Sequence, residues 1–163
     1  MKLEDIDLID LRLLDCLQRD ASLSNLALAE RVQVSPPTCL RRVKRLMDAG
    51  WIERQVAVLN ADQLGRHFGH GLHALIEVTL DRQDIEHLDA FEARAVAEDN
   101  VQQCWRVSSG PDFVLVVQCQ DMPAYLELTQ RLFTTDANVR NVKTFFATRR
   151  AKFDTRLTLP AAL

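Results

Sequence analysis

No stretch of this 163-residue chain comes near the roughly 18 consecutive apolar residues that a membrane-spanning helix needs. The opening MKLEDIDLID interleaves acids with Leu and Ile and lacks the basic start and apolar centre of a secretion signal, so a cytoplasmic protein is expected. Positive charge is not in excess either. Lys and Arg number 20 against 23 Asp and Glu, and the net charge of −3 excludes a globally basic coat, though not a local basic patch. The four cysteines, Cys16, Cys39, Cys104 and Cys119, form no Cys-x-x-Cys pair, so free thiols used as small apolar residues are expected rather than a zinc knuckle or a redox dithiol. Nucleophile and phosphate-loop signatures are also missing: there is no G-x-S-x-G, no P-loop and no H-E-x-x-H. With five glycines, five prolines, 47% hydrophobic and 26% charged residues, the chain is neither fibrous nor disordered. Its length suits one domain or two small ones.

What is present divides by charge. Residues 1–60 carry nine positive and nine negative side chains, while the remaining 103 carry eleven and fourteen. The first part has helical periodicity. Ile9, Leu13, Leu14 and Leu17 recur near a 3.6-residue spacing, Ser24 is a candidate N-cap for a short second helix, and Ser35-Pro36 opens a third that ends at Gly50. Three helices in about 45 residues, the last two joined by a tight turn, predict a helix-turn-helix. Gln33 stands in that turn where glycine would adopt positive φ most easily, at a cost of order 1 kcal/mol. Residues 51–59 are rich in β-formers and predict an extended hinge strand, followed by a loop or frayed strand start over 60–71.

Beyond the hinge, Leu72, Ala74, Ile76, Val78 and Leu80 alternate with polar residues as a half-buried strand does. A helix marked by Ile85, Leu88, Phe91 and Ala95 follows, then strands over 101–108 and from Phe113 to Val117, a helix through Met122, Tyr125, Leu126, Thr129, Leu132 and Phe133, and a last strand near 141–149. The order β-α-β-β-α-β is that of a ferredoxin-like domain, whose helices cover one sheet face only. A half-covered sheet on a small core predicts a dimer at least. The expected class is therefore α+β, with a helix-turn-helix domain over 1–50, a hinge strand and linker over 51–66, a ferredoxin-like domain over 67–152 and a tail over 153–163.

The third helix concentrates cations. Between Ser35 and Arg45 stand Arg41, Arg42, Lys44 and Arg45 and no acid. The spacing predicts Thr38, Arg41, Arg42 and Arg45 on one face, with Leu40, Val43, Leu46 and Met47 seating the other on the core. Guanidinium groups fork onto phosphates or guanine edges, and Ser35 with the helix N-terminus offers backbone N–H groups to a phosphate. The candidate DNA-binding set is Ser35, Pro37, Thr38, Arg41, Arg42 and Arg45.

These residues, in order, resemble the Lrp/AsnC (feast/famine) transcriptional regulators from about Ile6 to Lys152. The resemblance is carried by Asp7-x-x-Asp10, Leu17-Gln18, Ser24-Asn25, Leu28-Ala29, Ser35-Pro36, Arg42-Val43-Lys44-Arg45-Leu46, Gly50, Ile52 and Leu59-Asn60, then by Val107-Ser108, Asp112-Phe113, Asp121-Met122 and Ala124-Tyr125. It implies a winged-type helix-turn-helix joined to an amino-acid-binding (RAM) domain that pairs through its sheet into dimers, which assemble to octamers. It further implies a small amino-acid effector and no other cofactor, with the effector site formed by Ser108, Ser109, Gly110, Pro111 and Asp112 together with Met122, Phe145, Phe146 and Ala147. Asp112 suits a ligand ammonium, and equally suits a turn-former that bonds its own backbone. Two departures stand out: Ser109 and Pro111 alter the loop's usual Gly-x-x-Asp-Tyr, and Ala137-Asn138-Val139 replaces Pro-Gly-Val, with Asn138 expected to hold the left-handed turn.

Other constellations point elsewhere. His67, His70 and His73 recur every third residue, but intervening glycines break any helix that would align them, and no metal site is expected. Sirohaem decarboxylases resemble this two-domain architecture and give an enzymatic alternative, against which stands the basic face of the third helix. A low-specificity architectural DNA-binding protein is the other. The reading that fits best is a sequence-specific regulator of double-stranded DNA that responds to an amino acid, and not an enzyme.

Overall fold

The computed structural model describes residues 6–68 and 71–160, and these fall into two compact units, 6–58 with 152–160 and 59–151. The first unit is three helices: α1 (Leu8–Arg19), α2 (Asn25–Val32) and α3 (Pro36–Asp48). Their ends are built from local chemistry. Asp7 and Asp10 form a reciprocal capping box at α1, and Ser24 accepts a hydrogen bond from Ala27 N–H at α2. Gln33 takes the left-handed conformation (φ 59°, ψ 48°) anticipated for the turn, and the N–H of Val34 returns to Ala29 O at 3.0 Å. Gly50 (φ 78°) closes α3 in the same way, with Trp51 N–H on Leu46 O at 2.9 Å.

Leu13, Leu28, Ala29, Val32, Cys39 and Leu46 form the buried core of this unit. The face expected of α3 is corrected here: Leu40 and Met47 are 61% and 40% exposed, and Cys39 takes the inward place. All four cysteines are free thiols, and burial, with the Cys16 thiol nearby, pushes the Cys39 thiol up, which suits a packing residue.

No strand forms over 51–59. The backbone there is irregular and Val56, Val58 and Leu59 lie exposed, since an extended segment becomes a strand only when a neighbour completes its ladder. The tail returns to this unit instead of standing apart. The Gln18 carboxamide receives Leu157 N–H at 2.9 Å and donates to Leu157 O at 3.0 Å, so one side chain satisfies both backbone groups.

The second unit opens with a helix where a loop was expected: α4 (Ala61–Phe68), started by Asn60, whose side chain accepts Gln63 N–H at 3.0 Å. An expected linker boundary at residue 66 therefore falls inside a helix. The unit continues with β1 (Leu72–Leu80), α5 (Ile85–Val96), β2 (Val101–Arg106), β3 (Phe113–Cys119), α6 (Met122–Thr129), a π-helical turn (Gln130–Thr134) and β4 (Val139–Phe146). The sheet is antiparallel in the order β2-β3-β1-β4, the expected ferredoxin-like arrangement. Ala74, Ile76, Val78 and Leu80 of β1 and Phe113, Leu115 and Val117 of β3 point to the helical layer, where Phe91 packs at 4.8 Å between ring centroids from Phe113. The opposite face carries Leu75, Trp105 and Phe145, each 44–58% exposed.

Asn138 does not hold a left-handed turn, because the described non-glycine residues at positive φ are Gln33 and Ser109. Its side chain pairs with the backbone of Arg82 instead, accepting N–H at 2.8 Å and donating to the carbonyl at 3.2 Å. Of the three spaced histidines, His67 lies on α4, His73 on β1, and His70 outside the described residues.

Candidate functional site

The start of α3 is fixed from two sides. Ser35 has extended backbone (φ −69°, ψ 147°) and its hydroxyl hydrogen-bonds that of Thr38 at 2.8 Å instead of capping a backbone N–H. Asn25 of α2 donates to Pro36 O at 2.9 Å, which holds the beginnings of α2 and α3 together. Pro36 and Pro37 carry no N–H and that of Cys39 is taken by Ser35 O at 2.9 Å, so the helix start offers a phosphate at most the N–H of Thr38, not the set of N–H groups anticipated for it.

The four arginine and threonine residues expected on one face divide into two groups. Asp10, fully buried, receives Arg42 Nη1 at 2.9 Å and Arg45 Nη2 at 2.5 Å, and Arg42 also reaches Asp7 at 2.7 Å. The side chains of Arg42 and Arg45 therefore turn toward α1. A buried carboxylate would be costly alone, and the two guanidinium groups offset that cost. Asp10 and Asp7 in turn hold the Arg42 guanidinium above its ordinary range. Burial pushes the Asp7 carboxyl up, but the Asp10 N–H and Arg42 outweigh it and leave it below the ordinary carboxylate range.

What α3 presents outward is Pro37, Leu40, Arg41 and Lys44, all exposed and spaced i, i+3, i+4 and i+7. Arg41 and Lys44 enter no ion pair within the described residues, and no acid follows on this stripe until Asp48. Lys44 was missing from the residues picked by sequence, although it lay within the same basic run. The signal that separates it from Arg42 is the acid pair of α1, more than thirty residues earlier.

The effector residues also divide. Ser108, Ser109, Gly110, Pro111 and Asp112 form the β2–β3 hairpin loop, with Ser109 and Gly110 at positive φ (68° and 139°). Asp112 Oδ2 accepts Leu80 N–H at 2.7 Å and Gln83 Nε2 at 3.2 Å, and Asp112 N–H returns to Val78 O, so this carboxylate ties the loop to the end of β1. Met122, exposed at the start of α6, follows the other end of β3. Phe146 lies beside Ala74, Ala147 N–H reaches His73 O, and Phe145 lies beside Leu75. Leu72 pairs with Cys119 and Val78 with Phe113, so the two sets stand at opposite ends of the sheet, roughly 20 Å apart along β1. Within one chain they do not converge. Phe146 packs edge-on against Tyr125 (5.1 Å between centroids), whose hydroxyl hydrogen-bonds Thr144 at 2.8 Å.

Two family models match the chain. Residues 6–53 match the winged helix-turn-helix DNA-binding family model, and residues 73–157 match that of the Lrp/AsnC ligand binding domain. A leucine-responsive regulatory protein of Rhizobium meliloti is 36% identical over 91% of this chain and 92% of its own length, and that of Escherichia coli K12 is 31% identical over 96% and 93%. Among solved structures, a transcriptional regulator of Neisseria meningitidis in complex with L-Met superposes with a TM-score of 0.83 at 28% identity, covering 94% of this chain and 97% of that one. An AsnC family regulator from Agrobacterium tumefaciens gives 0.84 at 27% identity over the same shares.

Proposed function

The chain belongs to the Lrp/AsnC family of transcriptional regulators, and on that premise we propose that α3 binds chosen sites in double-stranded DNA and that a small amino acid held by residues 59–151 alters this binding or the assembly. The observation that carries the DNA reading is the outward stripe of α3, where Arg41 and Lys44 have no ion-pair partner among the described residues while Arg42 and Arg45 are held by α1. Arg41 and Lys44 take phosphates or base edges, Ser35, Pro37 and Thr38 lie at the helix end nearest the bases, and Arg42 and Arg45 set the angle of α3 on its core. Two such helices from a dimer meet half-sites about one helical turn apart.

For the effector, backbone N–H groups around Ser109 and Gly110 suit a ligand carboxylate. Asp112 keeps Oδ1 for an ammonium while Oδ2 serves Leu80 and Gln83. Since the loop and the Met122, Phe145, Phe146 and Ala147 set occupy opposite sheet ends, a ligand that meets both bridges two copies, in keeping with a dimer that assembles further toward an octamer. Fluorescence anisotropy on a duplex from the gene's own upstream region, against a shuffled duplex at fixed salt and with each of the twenty amino acids, tests the whole reading. Selective binding shifted by one amino acid is expected. Equal binding to both duplexes would leave a low-specificity architectural role.

A further inference from the structure

The outward stripe of α3 is not uniformly basic. Its C-terminal half supplies Arg41 and Lys44, but its N-terminal half presents Pro37 and Leu40, and Leu40 is 61% exposed in the first unit. A helix-turn-helix addresses base edges with the N-terminal residues of its recognition helix. Neither proline nor leucine has a side-chain donor or acceptor, so these two positions cannot read purine edges by hydrogen bonds, a task that falls to the hydroxyls of Ser35 and Thr38. The feature of the major groove that an apolar side chain recognises is the thymine C5-methyl group. A large aliphatic residue left in water at this position, with the helix already seated by Cys39 and Leu46, has no role in the core of its own unit.

The geometry points to Leu40 as a specificity-determining residue that packs on a thymine methyl, with Pro37 one turn earlier as the second wall of that contact. This deepens the DNA-binding reading and rests on it. Arg41 and Lys44 anchor the helix on the backbone or on neighbouring edges, and Leu40 selects a T·A pair at one position in each half-site.

The test uses the full chain and the tightest duplex recovered by in vitro selection from a randomised pool at fixed salt. Each thymine of that duplex is replaced singly by uracil, which removes the methyl group and keeps every hydrogen bond. Wild-type protein is expected to lose about fourfold in affinity at one thymine per half-site, the worth of burying a single methyl group. L40A is expected to bind all duplexes more weakly and to show no difference between thymine and uracil at that position, while L40M, which restores the apolar volume, restores the difference. Both variants alter an exposed side chain, and a thermal melt matching wild type verifies the fold. The assignment is overturned if no thymine discriminates by more than about 1.5-fold, or if L40A keeps the wild-type ratio. Failure of wild type to bind any selected duplex overturns the DNA-binding reading itself, and the assignment with it.

Discussion

Arg41 and Arg42 are neighbours with opposite duties. Arg41 is exposed and has no ion-pair partner among the described residues, whereas Arg42 lies between Asp7 and Asp10. Arg41→Ala is therefore expected to lower DNA affinity and to reduce the slope of log K against log salt by about one if it meets a phosphate, with an unchanged urea midpoint. Arg42→Ala is expected to lose about 1–3 kcal/mol in urea unfolding, because Asp10 stays buried with Arg45 alone. Asp7 adds a pH dependence whose sign is fixed. Its carboxyl is held below the ordinary value near 4 in the folded state, so its contribution is complete above that value and fades as pH falls through the folded one. Asp7→Asn is expected to flatten the acid limb of the stability curve below about pH 4, measured by urea melts at stepped pH. The sequence hid the difference between the two arginines because a helical wheel shows which residues share a side, not which acids another helix brings there. One residue of phase decided it: Cys39 is small and apolar, and seating it inward carries Leu40 outward.

Elements whose ends are set by their own residues were readable in advance: Ser24 capping α2, the left-handed Gln33 and the Gly50 stop all follow from local backbone chemistry. Gln33→Gly is expected to raise stability by about 0.5 kcal/mol, since the left-handed strain removed exceeds the entropy glycine loses on folding. Elements that depend on a distant partner were not readable. The segment 51–59 has strand composition but no ladder among the described residues, and α4 rests on the Asn60 cap, which the glycines around it obscured. The β2–β3 loop belongs to both groups. Its position as a hairpin was plain from Ser109-Gly110-Pro111, but the hydrogen bond from Leu80 N–H to Asp112 was not. Asp112→Asn keeps an acceptor for that N–H and removes the charge, so thermal stability within about 0.5 kcal/mol of wild type and loss of the amino-acid response in anisotropy are expected together. Asp112→Ala should lose the response and about 1–3 kcal/mol besides.

At the scale of the whole molecule, the sheet face of the second unit away from its helices leaves Leu75, Trp105 and Phe145 about half exposed. Sheets with helices on one side are stable when the other side is covered, and a second copy offers the same surface in return. Leu75→Asp is expected to weaken self-association by a hundredfold or more, read by sedimentation equilibrium, because the carboxylate would be buried without a partner.

The Gln18–Leu157 clasp has a further consequence for how such a protein is divided and recombined. The chain leaves its first unit at residue 58 and re-enters it at 152, so the second unit is an insertion into the first rather than its successor. A fragment ending after α3 and the 51–58 segment lacks one strip of the first unit's surface, which bares the side of α1 around Leu17 and Gln18. Exchange of sensing domains between relatives would therefore have to preserve two junctions at once. A graft that carries a foreign tail replaces part of the first unit along with the sensor.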